Sequence, residues 1–224
     1  MKLAGQRWRT LVSTVTLGGK SYRVLRPAFP KAHAPLYDGG GRGAPEIVVD
    51  EAAALEIACA WWLAARSPNS LIHLPLRQAT DECGSGNDGR ASDLVLLHHS
   101  LRFPAAQWKE LRGRATTWTP HTVRLPAQPF PKITRSDHDR RWHDTFHDHL
   151  LWETAADTLF VIGSRPAFEL ASNQVRELAE DGHAHMARTP DAHCCAEIDI
   201  GRTLRYNHRN PPARLHITYC EAHR

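Results

Sequence analysis

Between about residue 46 and residue 200, short aliphatic and β-branched runs alternate with longer segments of helical periodicity, and no other feature restricts the fold as much. "EIVV" is followed by "DEAAALEIACAWWLAAR". Asp50 suits an N-cap, acids fill the first turn, and Arg66 closes the helix before Ser67-Pro68. Leu55, Ala58, Cys59 and Trp62 share one predicted face, with Trp61 and Trp62 read as core and edge. "SLIHLPLR" reads as a strand and "DECGSGNDGR" as a polar loop with strong turn chemistry. "DLVLLHHS" is a continuous apolar run, as expected of a strand buried on both faces. "FPAAQWKELRGR" predicts a short helix and "HTVRLP" another strand. The spacing from 136 to about 155 predicts a further helix, with Trp142, Phe146, Leu150 and Glu153 in one row. "DTLFVIGS" is the clearest strand. "RPAFELASNQVRELAED" is a helix with Pro166 near its first turn and Gly182 at its C-terminal end, and "CCAEIDIG" and "RLHITYC" are late strands.

This alternation predicts an α/β fold with a mainly parallel sheet covered by helices. An N-terminal β-hairpin, "TLVSTVTLGGKSYRVL" around Gly18-Gly19, and antiparallel additions at the C-terminus complete the expectation. The chain reads as a single α/β domain over 1–224, with the hairpin as a subdomain over 1–45.

Composition narrows the function classes. Hydrophobic residues at 42% and charged residues at 23% belong to an ordinary globule, and no apolar run reaches the ~18 residues a membrane helix needs. The start, "MKLAGQRWRT", has neither an h-region nor a small-residue cleavage site, so a cytoplasmic location is expected. The net charge is +4 with His neutral, and the basic residues are scattered, which permits nucleic acid without indicating it. Five cysteines without regular spacing do not form a disulfide framework.

Four segments carry candidate chemistry. In "DHDRRWHDTFHDH", Asp139, His143 and His147 would stand at i, i+4 and i+8 on a helix, so His143 and His147 suit one divalent ion, zinc or manganese, with Asp139 as a ligand or second-shell partner. His98, His99 and Ser100 end the buried run, and the carboxyl end of a strand in an open α/β sheet is where ligands bind. One imidazole there suits a general base, with Ser100 beside it. "HCC" and "LHITYCEAH" contain zinc-ligand types. However, adjacent cysteines on a strand point to opposite faces, no CxxC occurs, and only Cys220–His223 has a short ligand spacing. Ser164 and Arg165 follow a strand and open a helix, an arrangement suited to an anion.

The stretch "ADTLFVIGSRPAFELASNQVREL" resembles the strand–helix segment of TIR-type domains, with Ser172 and Glu177 as the matching residues. In that family the Glu serves NAD cleavage, so the resemblance implies nicotinamide-nucleotide binding or cleavage. It covers residues 156–178, and the Ser–Glu spacing differs by one.

The functional expectation is a metal-assisted or His-dependent hydrolase acting on an anionic substrate, a nucleotide or nucleic acid. A non-catalytic binding or accessory module is the first alternative, and TIR-like chemistry the second.

Overall fold

The structure, a computed structural model, describes residues 2–29, 34–39, 43–80, 89–189, 192–199 and 214–220. Strands β1 (Arg7–Leu17) and β2 (Lys20–Pro27) form the N-terminal hairpin. Gly18 and Gly19, at φ 55° and 78°, supply the two positive φ values of its tight turn. β1 also pairs antiparallel with β7 (Thr119–Arg124). β2 pairs parallel with β5 (Ser70–Leu74), β5 antiparallel with β6 (Ala91–His98), and β6 parallel with β9 (Thr158–Gly163). β8 (Leu151–Thr154) adds to β9 as an antiparallel hairpin partner. From the start of β6 the sheet continues through β3 (Leu36–Tyr37) and β4 (Glu46–Val49) to β11 (Leu215–Tyr219) and β10 (Cys195–Ile198).

Among the described residues the result is a mixed sheet of 11 strands, mostly antiparallel, and this corrects the expectation of a mainly parallel one covered by helices. Among the described residues, only the β2–β5, β6–β9 and β4–β11 pairings are parallel. The physical reason lies in the connections. A parallel neighbour needs a crossover of a dozen or more residues, usually a helix, and the described residues between "SLIHLPLR" and "DLVLLHHS" contain none. These two strands pair antiparallel, and residues 81–88 between them lie outside the described residues.

The apolar run of β6 is buried on both faces, as its composition predicts. Leu94 and Leu96 join one core cluster with Ile57, Trp61, Phe168 and Val175, from α1 (Glu51–Arg66), α4 (Arg165–Leu170) and α5 (Ser172–Arg188). Val95 and Leu97 join a second cluster around Trp108 and Leu111 of α2 (Trp108–Arg114). Period-2 alternation thus places helices on both sides of this strand. The Trp61 indole donates to Phe168 O at 2.8 Å and packs edge-on against the Phe168 ring, which locks α1 to α4. Trp61 is core and Trp62 edge, while the buried face of α1 runs through Ala54, Ile57, Ala58 and Trp61 rather than through Leu55 and Trp62.

Two helix expectations change. The segment from 136 to 155 is not one helix. α3 (Arg135–Asp139) begins in a capping box of Thr134 and Asp137, a 3₁₀ turn covers Arg140–Trp142, and His143 is extended at ψ 139°. Trp142 is 76% exposed, and residues 151–154 are β8. Asp, Ser, Thr and His side chains are weak helix formers, and the first three compete for backbone groups. Conversely, the 166–181 segment breaks at Ala171 into two helices, and α5 runs on through Gly182 to Arg188.

Candidate metal centre

The alternation that buries β10 and β11 on one side also assembles a polar group on the other. Ala196, Ile198, Leu215, Ile217 and Tyr219 face the helical core. Cys195, Glu197, His216 and Thr218 therefore share the opposite face, and Glu46 of β4 joins them as the cross-strand neighbour of His216. His193 lies two residues before β10, at the edge of the same face.

One ligand atom from each of His193, Cys195 and His216 lies within 4.8 Å of the other two, the only group of this kind among the described residues. His193 Nε2 and His216 Nε2 stand 3.3 Å apart. Two nitrogens bound tetrahedrally to one zinc ion at Zn–N ~2.05 Å would stand about 3.3 Å apart, so the imidazoles are already at coordinating distance. On the other ring nitrogen, His216 Nδ1 lies 3.3 Å from Glu46 Oε1, and the Thr218 hydroxyl donates to the same oxygen at 2.8 Å. This is the carboxylate–imidazole arrangement that orients metal-bound histidines and leaves Nε2 for the ion. Burial, with Glu197 and Cys194 beside it, pushes the Cys195 thiol up, so an ion must displace its proton.

Three protein ligands of N, N and S type fit zinc and leave one tetrahedral position open. Beside it lies a cavity of about 220 Å³ whose lining includes Glu46, Glu197, Asp199, Arg214 and His216. Cys194 turns to the helical core and Cys220 is disulfide-bonded, so neither competes as a ligand. His223 lies outside the described residues. Of this group, the sequence displayed His193 and Cys195 in "HCC", but the absence of CxxC spacing masked them. The missed signal is alternation in "LHITY", which sets His216 on the same face as Cys195.

The other candidates are placed as follows. Asp139, His143 and His147 are exposed and do not form a common ligand group; His143 and His147 line one shallow depression with Arg140 and Asp148. His98 and Ser100 do come together. His98 Nδ1 lies 2.8 Å from Ser100 Oγ and accepts from the Ser100 N–H. Burial and the adjacent His99 ring hold His98 below the usual imidazole range. Among the described residues, neither ring hydrogen-bonds the 139–149 segment and no carboxylate pairs with His98. Ser164 caps α4 by accepting from Ala167 N and donates to Asp148, while Arg165 pairs with Glu169, so both are engaged locally. Of the two TIR-matching residues, Ser172 is fully buried at the start of α5 and Glu177 is exposed on the same helix.

No helix among the described residues is long and apolar enough to cross a membrane. Comparison with family models, curated proteins and solved structures returns no match for this chain.

Proposed function

We propose that the chain is a metal-assisted hydrolase whose ion is held by His193, Cys195 and His216, and that its substrate is anionic, a nucleotide or nucleic acid being the chemical class. The observation that carries this reading is the pair of imidazole Nε2 atoms 3.3 Å apart, next to Cys195 and backed by Glu46. When bound, such an ion polarises a phosphoryl or carbonyl oxygen and acidifies a water. The chain's own residues supply the rest. Glu46 fixes the His216 ring and keeps Nδ1 from competing for the ion. Glu197, directly across from His216, is the carboxylate placed to accept a proton near the open position. Among the described residues, Arg214 is the one cation in the lining of the same cavity and is the group that would meet the substrate's charge, beside Glu46, Glu197 and an Asp199 already paired with Arg141.

The test is hydrolysis of a chromogenic aryl phosphodiester by zinc-loaded protein, chelator-treated protein and His216→Ala. Activity that disappears in the last two supports the reading. A protein that binds zinc but shows no turnover on esters or phosphoesters returns the chain to the class of metal-binding modules without catalysis.

A further inference from the structure

A second polar site lies on the face of the sheet covered by α2 and shares no residue with the metal group. β5 is buried along its whole length, and alternation turns Ile72 and Leu74 to one core while Leu71 and His73 face α2. The His73 ring packs edge-on against Trp108 at 5.0 Å. His73 is 6% exposed, and its Nε2 is buried without a hydrogen-bond partner. Its one ionic neighbour among the described residues, Asp93 Oδ2, stands at 3.5 Å, close enough to pull on the ring's charge but too long for a well-formed hydrogen bond. A buried imidazole nitrogen without a well-formed hydrogen bond costs roughly as much as a lost one, so it marks a place where a closer partner is expected.

His73 lines a cavity of about 200 Å³ together with Asp93, Arg26, Arg77, Arg112 and Trp118. The cations outnumber the carboxylate three to one. Asp93 is already satisfied: it accepts from the Arg77 backbone N–H at 3.0 Å and pairs with Arg112 at 3.0 Å. Arg77 also pairs with Asp157. Arg26 has no carboxylate partner among the described residues, and its guanidinium lies 4.0 Å over the Trp118 ring, which holds the planar fork in a fixed orientation. Burial, with Arg112 and Arg26 adding to it against the pull of Asp93, keeps His73 neutral, so the ring can donate one N–H.

We propose that this cavity binds the phosphoryl group of a small molecule, either free phosphate or a phosphate monoester, with Arg26 and Arg112 on its oxygens and His73 Nε2 as a third donor. Guanidinium forks match phosphoryl oxygens bidentately, and such charge-assisted bonds are about twice as strong as neutral ones. The site does not depend on the metal centre, so either stands if the other fails.

The test is calorimetric titration of the full chain with inorganic phosphate and with phenyl phosphate at physiological ionic strength, repeated on Arg26→Gln. The His73 ring nitrogens are followed in parallel by NMR. Saturable binding that weakens about tenfold or more in Arg26→Gln, the loss expected for one charge-assisted contact, supports the site. A shift of the His73 Nε2 resonance on titrating the unaltered protein supports it even if the variant fails to fold. Tighter binding of phenyl phosphate assigns a monoester, and equal binding assigns free phosphate. No heat and no His73 shift up to about 10 mM, or equal affinity in Arg26→Gln, overturns the proposal.

Discussion

Replacing Gly182 with alanine sets two effects of opposite sign against each other. Gly182 stands inside α5, where alanine would stabilise an exposed helix by about 1 kcal/mol through lower backbone entropy loss. The structure places an obstacle in the way. A Cβ added there would lie 2.7 Å from Tyr219 Cδ2 and 3.0 Å from Tyr219 Cε2. Tyr219 is 4% exposed and belongs to the helical core, so the ring cannot swing away as an exposed side chain would. Overpacking of this kind costs about 1–3 kcal/mol, and a contact this short against a buried ring belongs in the upper half of that range. The clash therefore wins, and net destabilisation is about 1–2 kcal/mol, or a fall in Tm of about 2–8 °C for a chain of this size. Thermal unfolding followed by circular dichroism checks it. A Tm equal to or above that of the parent protein would show that Tyr219 has room, and that the close approach of α5 to β11 is wrong.

Three further outcomes are expected. Trp61→Phe removes the donor to Phe168 O and should cost about 1–3 kcal/mol in denaturant unfolding, because that carbonyl is left buried without its partner; an unchanged midpoint would refute the contact. His73, held below its ordinary value by burial, binds fewer protons folded than unfolded, so its contribution to stability is fully present above about pH 6.5 and is lost as pH falls below it. Urea midpoints at about pH 7.5 and about pH 5.5 should therefore differ more in the parent protein than in His73→Gln, and equal differences would contradict the burial of that ring. Glu46→Ala should weaken zinc binding about 10–100-fold in a competition titration, and unchanged affinity would remove Glu46 from behind His216.

The sequence makes individual elements legible more readily than their pairing. Gly18-Gly19, the Asp50 cap and the apolar run of β6 are local signals, and each appears in the structure where the residues place it. Strand direction depends on what joins the strands, so the antiparallel β5–β6 and β8–β9 pairs were not visible in composition. The β8–β9 hairpin turns through Ala156 and Asp157 at φ 49° and 58°, a conformation that residues other than glycine rarely take and that no glycine advertises here. The metal group combines His193 and Cys195 with His216 from a different strand, so no linear spacing encodes it; only the register of β10 on β11 does. His73 carried a readable signal, a histidine inside the apolar run "SLIHL", but its arginine partners come from β2, α2 and the residues after β5.

The most direct measurement is zinc K-edge X-ray absorption on tag-free, metal-loaded protein, with His216→Ala alongside. One bound ion is expected, with a single sulfur at ~2.3 Å and two imidazole nitrogens at ~2.0–2.1 Å, and with loss of one nitrogen and most of the affinity in the variant. An ion with no sulfur in its first shell, or a spectrum unchanged in His216→Ala, would place the metal elsewhere on this histidine-rich chain and contradict the centre built from His193, Cys195 and His216.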